Sequence, residues 1–109
     1  MKFTKIDIKP LSVNKAWKGK RFKTNEYRKY EKNLILLLPK QKIGDGYLSL
    51  DVEFGFSSMA SDLDNPLKPF IDVIQKKYGF NDKQIFKLFV TKTLVKKGKE
   101  FIQFKIKEL

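Results

Sequence analysis

Cysteine and histidine are both absent from this chain of 109 residues. The lack of cysteine excludes a disulfide framework. The lack of histidine excludes Ser-His and Cys-His nucleophilic systems and any imidazole general base. Zinc sites normally use His or Cys, so a zinc centre is not expected either. The chemistry that remains open is that of carboxylates, which suit hard cations such as magnesium or manganese.

Long apolar segments are also missing. The longest run, residues 34–38, is too short to cross a bilayer, and residues 1–10 have no apolar centre of a secretory signal. These features predict a cytoplasmic protein with no membrane partner. Hydrophobic residues make up 41% of the chain, which is enough for a globular core. Because two halves would be too small to bury stable cores, we expect a single domain over residues 1–109.

Negative charge is scarce relative to positive charge. The chain has 24 Lys and Arg against 12 Asp and Glu, which gives a net charge of +12. An excess of this size favours a nucleic-acid partner through neutralisation of phosphates, although a lysine-rich composition that only keeps the protein soluble is the alternative. The basic loop over residues 11–23 supplies the predicted DNA-binding residues, which are Lys15, Lys18, Lys20, Arg21 and Lys23.

Hydrophobic periodicity predicts an α/β (α+β) fold. Alternating apolar residues indicate strands at residues 3–9, 48–56, 85–95 and 100–107, and two short extended stretches fit within residues 11–23. Helical spacing predicts one helix from a cap at Thr24 or Asn25 to Pro39, and a second from about Pro66 to Tyr78, with Asn65 as its N-cap and Gly79 as its stop. The last two strands read as an antiparallel hairpin around Gly98. The order β-α-β-α-β-β predicts a mixed β-sheet packed with two main helices.

An acidic cluster stands out against the basic background. Asp62 and Asp64 lie two residues apart where a loop meets the second helix, so in an extended segment both carboxylates point the same way and can converge on one cation. Asp82 follows the same helix and joins them only if that helix packs on the sheet. The alternative is that Asp62 or Asp64 caps the helix and stabilises its dipole.

Lys68 lies four residues after Asp64, and Asp72 lies four residues further on. One interpretation is a solvent-exposed Asp-Lys-Asp ladder along a helical face. The other is that the Lys68 ammonium neutralises charge on a scissile phosphate, with Asp72 as a supporting residue.

Two motifs together resemble the RusA family of Holliday-junction resolvases (crossover junction endodeoxyribonucleases). The chain reads DLDNPLK at residues 62–68, FID at 70–72 and FNDKQI at 80–85. The family pattern is a D-L-D-N motif, a Lys four residues beyond its second Asp, a short helix, and a [ND]-D-x-Q-[IV] motif. The segment PLSVNK at residues 10–15 is similar to the Pro- and Asn-containing start of the family.

The resemblance implies a magnesium-dependent endonuclease, with manganese as a second possible ion. Such proteins are homodimers that bind four-way DNA junctions and nick two strands symmetrically in DNA recombination and repair, and they are often encoded by phages. Carried over by position, Asp62, Asp64 and Asp82 are the catalytic metal ligands and Lys68 is the catalytic lysine. Asp72 matches a further acidic position of the pattern.

One departure from the family concerns the loop before the first motif. Some members have a run of Arg there, whereas this chain has Met59-Ala60-Ser61. The positive charge has moved instead to the loop of residues 11–23 and to residues 92–99. A non-catalytic basic nucleic-acid-binding module, with Trp17 and Phe22 stacking on unpaired bases, stays open as an alternative, as does a basic adaptor protein of a larger particle.

Overall fold

The regular elements of the computed structural model, which describes residues 3–18 and 22–109, follow the α+β order expected from the sequence. The strands are β1 (Thr4–Ile6), β2 (Trp17–Lys18), β3 (Phe22–Lys23), β4 (Leu48–Phe56), β5 (Ile85–Leu94) and β6 (Phe101–Glu108). The helices are α1 (Val13–Ala16), α2 (Asn25–Leu37) and α3 (Leu67–Tyr78), with a single 3₁₀ turn at Asp82–Gln84. No helix of the described residues is long and apolar enough to cross a membrane.

The sheet is mixed, as predicted, but its strand order differs from the predicted hairpin. Four strands are ordered β1-β6-β4-β5, with β4 parallel to β5 and antiparallel to β6. The strands β5 and β6 therefore lie on opposite sides of β4 and do not pair, so the prediction of an antiparallel hairpin around Gly98 was wrong. The physical reason is burial: β4 has apolar residues buried along its whole length and takes the interior position, whereas β5 is mostly exposed and takes the edge.

The first strand is shorter than predicted. It was expected over residues 3–9, but only three residues pair with β6. The amide of Ile8 donates to the carbonyl oxygen of Ile6 at 2.9 Å, which turns the chain away from the ladder directly after Ile6. The two short extended stretches predicted within residues 11–23 are β2 and β3, which pair antiparallel.

The start of α2 is confirmed at Thr24. The hydroxyl of Thr24 accepts a hydrogen bond from the amide of Tyr27 at 3.1 Å and donates to the carbonyl oxygen of Lys15 at 2.6 Å. The same side chain thus satisfies a free N–H of the first helical turn and ties the helix to the segment before it. Tyr27, Tyr30 and Leu34 form the buried stripe of this helix.

The second of the two predicted helices is α3, which begins one residue later than predicted and has a different cap. Pro66 is the cap residue and no side chain caps the helix, so the predicted cap at Asn65 was wrong. The carbonyl oxygen of Asn65 accepts instead from the amide of Val13 at 2.9 Å. Pro69 lies in the first turn, where its missing N–H would have no partner within the helix, so it is tolerated. Gly79 ends the helix with a φ of 74°, which favours glycine.

The core lies between one face of the sheet and the helices α2 and α3. The ring of Phe70 on α3 packs edge-on against Phe54 of β4 and Phe104 of β6, with ring centroids 6.0 and 5.3 Å apart. Gly55 is required beside them, because a Cβ there would lie 2.3 Å from the ring of Phe101 on β6. Burial of these aromatic rings holds α3 against the sheet. It thereby sets the positions of the segments before and after that helix.

Glu31 links three parts of the fold through two ion pairs. Its carboxylate accepts from the ammonium groups of Lys23 and Lys76, each at 3.0 Å, and so joins α2 to β3 and to α3. Burial would raise the pKa of Glu31, but the hydrogen bonds from Lys76 and Lys23 outweigh it, and the pKa lies below its ordinary value.

We expect Glu31→Gln to lower the free energy of unfolding by about 1 kcal/mol at neutral pH. A carboxyl with a lowered pKa in the folded state stabilises the fold above its unfolded pKa, about 4.3, and loses that effect as the pH falls through the folded value. Urea unfolding at neutral and at acidic pH should therefore show a gap between the two proteins that closes in acid. An equal gap at both pH values would contradict this account, and Glu26→Gln serves as the exposed control.

Candidate functional site

The two acidic motifs lie at opposite ends of α3. The segment before the helix runs through bends, and the carbonyl oxygen of Asp64 accepts from the amide of Leu67 at 3.1 Å. The Asp62 carboxylate accepts from the side-chain amide of Asn65 at 3.3 Å. Since no side chain caps α3, helix capping does not account for either aspartate.

A cavity of about 420 Å³ between α3 and β5 brings most of the predicted site together. Its polar lining residues all come from residues 62–85, the part of the chain that contains the two family motifs. Its walls are apolar and come from the first turns of α3 and the start of β5. The polar lining residues are Asp64, Lys68, Asp72 and Asp82, and the apolar ones are Leu67, Ile71, Ile85, Phe86 and Leu88.

Asp82 opens a 3₁₀ turn that its neighbours hold in place. The side-chain oxygen of Asn81 accepts from the amide of Lys83 at 2.9 Å. The side-chain oxygen of Gln84 in turn accepts from the amide of Asn81 at 2.9 Å, which completes a capping box. The spacing N-D-x-Q of the second motif thus has a structural explanation: the first and last residues shape the turn that presents Asp82.

Two further contacts anchor this turn to the rest of the fold. The backbone amide of Asp82 donates to the side-chain oxygen of Gln75 on α3 at 2.8 Å. The side-chain amide of Gln84 donates to the carbonyl oxygens of Gly44 and Gly46 at 3.0 and 2.9 Å. Asp82 is therefore fixed relative to the helix that carries Lys68 and Asp72.

Lys68 and Asp72 form an ion pair across one helical turn. The ammonium nitrogen and the carboxylate oxygen are 3.5 Å apart, and the Lys68 side chain is 67% exposed. This is the second half of the predicted Asp-Lys-Asp ladder. The first half is not found, because Lys68 makes no ion pair with Asp64 in the described part of the chain. The Lys68 ammonium is thus held loosely and stays accessible at the mouth of the cavity.

Asp62 lies apart from the other predicted ligands. It lines a second cavity, of about 600 Å³, between residues 8–12, α2 and the loop of residues 57–61. Asp62 and Asp64 line different cavities in this structure, since the bends of this segment break the alternation of an extended chain. Within residues 3–18 and 22–109, no three acidic side chains are grouped closely enough to hold a metal ion.

The basic residues predicted to bind DNA have different environments. Lys15 is exposed and lines the second cavity. Lys23 is paired with Glu31, and its ammonium also lies over the Tyr27 ring, 5.1 Å from the centroid. Lys20, Arg21 and the side chain of Lys18 lie outside the described residues. Lys92 donates to the carbonyl oxygens of Met59 and Ser61, so it holds the loop that leads to Asp62.

Nearly the whole chain takes part in the match with one known family. The family model described as Endodeoxyribonuclease RusA matches residues 8–105. The chain belongs to the RusA family. It is therefore an endodeoxyribonuclease of the Holliday-junction resolvase class, as the resemblance implied. A search of curated proteins found no match.

RusA-type nucleases generally depend on a divalent metal. The oxygen donors of this RusA protein have the right chemistry for a hard cation, because Asp64, Asp72 and Asp82 line one cavity and magnesium prefers carboxylate oxygens and water. Asp62 would reach this group only after a rearrangement of the bends before α3. The set Asp62, Asp64 and Asp82 therefore remains a prediction.

The structural roles of three residues around the RusA motifs were not predicted from the sequence, although Gln84 belongs to the second motif and Lys92 to the basic stretch of residues 92–99. Gln75 and Gln84 position Asp82, and Lys92 holds the loop before Asp62. The spacing Asn81-x-x-Gln84 was a readable signal, since it is a variant of the capping box. Gln75 and Lys92 gave no such signal, because each acts on a segment that is distant in sequence.

Proposed function

We propose that this RusA protein resolves four-way DNA junctions by paired symmetric nicks, with magnesium as its metal ion, in DNA recombination and repair. The observation that carries the proposal is the cavity between α3 and β5, which is lined by Asp64 of the first motif, Asp82 of the second and Lys68 between them. Manganese, which accepts the same oxygen ligands, is a second ion that would support cleavage.

Asp62, Asp64 and Asp82 are the proposed metal ligands and catalytic carboxylates. A magnesium ion held by them would polarise the phosphoryl oxygens and favour ionisation of an attacking water. The exposed Lys68 ammonium would bind a non-bridging oxygen of the scissile phosphate and offset its growing charge. Asp72 supports Lys68 by holding its ammonium at 3.5 Å until DNA arrives.

The net charge of +12 provides the attraction for the branched DNA substrate. Lys15, Lys18, Lys20, Arg21 and Lys23 are proposed DNA contacts, of which Lys23 must first give up part of its pairing with Glu31. Since binding of this kind releases counterions, affinity for any DNA should fall steeply as the salt concentration rises.

Two symmetric nicks require two active sites, and the outer edge of β5 is the proposed dimer interface. The strand is ten residues long and lies at the edge of the sheet, where its backbone groups on one side have no strand partner among the described residues. Natural proteins normally protect such an edge with charge or cover it. Here it carries Phe89 and Leu94, two exposed large apolar side chains that do not line the cavity between α3 and β5. A second copy of the chain, paired edge to edge, would pack its own side chains beside them.

We expect Phe89→Asp to convert a dimer into monomers, because the substitution places a charge on the edge that a second copy would cover. Phe89 is 56% exposed and does not line the cavity between α3 and β5, so the fold and the site should persist. Sedimentation analysis measures the change, and Met59→Asp, on an exposed loop, is the matched control. If Phe89→Asp has the same mass as the unchanged protein in solution, the interface lies elsewhere.

A supercoiled plasmid with an extruded cruciform tests the proposed function. Paired nicks across the junction convert it to a linear molecule, whereas a single nick gives an open circle. We expect linear product with magnesium and intact supercoiled plasmid with chelator. Tight binding without either product, under magnesium and manganese alike, would favour a non-catalytic nucleic-acid-binding protein instead.

A further inference from the structure

Asp72 is held from two sides, and one of its two partners lies outside the family motifs. The Lys68 ammonium nitrogen is 3.5 Å from the Asp72 carboxylate oxygen, and both side chains line the cavity between α3 and β5. The second partner is the Tyr27 hydroxyl on α2, which forms a side-chain hydrogen bond with Asp72. Tyr27 is 1% exposed, whereas the side chains of Asp72 and Lys68 are 28% and 67% exposed. Asp72 therefore links the core of the fold to the lysine of the candidate site.

The Tyr27 hydroxyl is the donor in this contact. Burial raises the pKa of Tyr27 well above its ordinary value, and the negative charges of Asp72 and Glu31 and the hydrogen bond to Asp72 raise it further. The hydroxyl therefore keeps its proton at neutral pH and donates a hydrogen bond to the carboxylate. A hydrogen bond to a charged group is stronger than one between neutral groups, so it restrains the orientation of the Asp72 carboxylate.

Tyr27 is itself held in place by its neighbours. Its amide donates to the Thr24 hydroxyl at 3.1 Å in the first turn of α2. Its ring lies tilted against the Tyr30 ring, with centroids 6.4 Å apart, and the Lys23 ammonium lies 5.1 Å from its centroid. A side chain that is locked by packing can orient the groups to which it bonds. Tyr27 lines neither cavity, so its effect on the site would pass through Asp72.

We propose that Tyr27 is a positioning residue of the nuclease, which orients the Lys68 ammonium by fixing the Asp72 carboxylate. A lysine side chain has a long flexible stem, so its ammonium needs a fixed partner to remain in one place. Within the described residues, Asp72 is the only ion-pair partner of Lys68. If the Tyr27 hydroxyl is removed, Asp72 can turn away and Lys68 loses its position. The inference rests on the proposed function, which gives Lys68 its role at the scissile phosphate.

Tyr27→Phe removes only the hydroxyl and should slow cleavage more than binding. We expect the single-turnover rate on a four-way junction with magnesium to fall about tenfold, the usual effect of losing a group that orients a residue of a site. Junction affinity in chelator should stay nearly unchanged. Tyr30→Phe is the matched control on the same helix, because its hydroxyl has no partner within the described residues. Tyr78→Phe loses a hydrogen bond to the Pro39 carbonyl oxygen outside the site, and so controls for a general loss of stability.

A double-mutant cycle separates an effect through Asp72 from a general loosening of the fold. Asp72→Ala removes the carboxylate that Tyr27 orients, so adding Tyr27→Phe to it should cause no further loss of rate. An equal further loss in that background would mean that Tyr27 acts through the fold and not through Asp72. That result would overturn the proposal, as would a Tyr27→Phe protein that cuts at the unchanged rate.

The position of Lys68 can also be followed without DNA or metal. Acetylation of each lysine is timed by mass spectrometry, with the exposed Lys97 as the internal reference. Lys68 should react faster in Tyr27→Phe than in the unchanged protein, because its ammonium is less firmly paired, whereas Lys97 should react equally in both. Equal rates at Lys68 would overturn the proposal. An absence of cleavage by the unchanged protein with every ion would instead refute the proposed function, while the acetylation of Lys68 still tests the role of Tyr27.

Discussion

Asp64→Asn should abolish cleavage of a four-way junction while leaving its binding nearly unchanged. The substitution keeps the size of the side chain but replaces a charged oxygen ligand with a neutral amide. Asp64 is exposed and its carboxylate makes no hydrogen bond or ion pair within the described residues, so the fold should not respond. We expect a rate loss on the order of 10³-fold or more, as for removal of a group that acts mainly in the transition state.

The loss should be measured in single-turnover cleavage at saturating protein, with affinity measured separately in chelator. Asp45→Asn is the matched control, because Asp45 is an exposed turn residue that lines neither cavity. A protein with Asn at position 64 that cuts at the unchanged rate would show that Asp64 is not a metal ligand. Loss of junction affinity in chelator would point to a role in binding instead.

Phe70→Ala should have the largest effect on stability. The Phe70 ring is fully buried between α3 and the sheet and contacts the rings of Phe54 and Phe104. Its truncation removes buried apolar surface and leaves a cavity, which typically costs about 3–5 kcal/mol. Because whole domains are stable by only about 5–15 kcal/mol, a large share of the folded population is at risk at 37 °C.

Urea unfolding followed by fluorescence or circular dichroism measures this change. The control is Leu36→Ala, since Leu36 is 74% exposed on α2 and its truncation should cost far less. Similar losses for both variants would mean that α3 is not held on the sheet by Phe70. Partial loss of nuclease activity is also expected for Phe70→Ala, because α3 carries Lys68 and Asp72.

Local features of the fold were predictable from the sequence because local chemistry determines them. The Thr24 cap, the stop at Gly79 and the alternation along β4 each depend on residues within one turn or one strand. The pairing of strands does not depend on nearby residues alone. Alternation shows that a segment is a strand, but it does not show which strand lies beside it. The order β6-β4-β5 depends on how the whole chain packs around β4 and not on any single segment.

The candidate site, too, was only partly predictable from the sequence. The motifs identified Asp64, Lys68, Asp72 and Asp82, and the structure places all four around one cavity. The separation of Asp62 was not predictable, because it depends on bends at residues 61–64 and not on residue type.

The central claim is that metal-dependent cleavage at the cavity between α3 and β5 is directed at branched DNA. Its most direct test incubates the protein with a labelled four-way junction and a linear duplex of the same sequence, each with magnesium and with chelator. We predict paired nicks at symmetric positions in the junction only, and only with magnesium. Equal cleavage of the linear duplex, or cleavage that persists in chelator, would contradict the account.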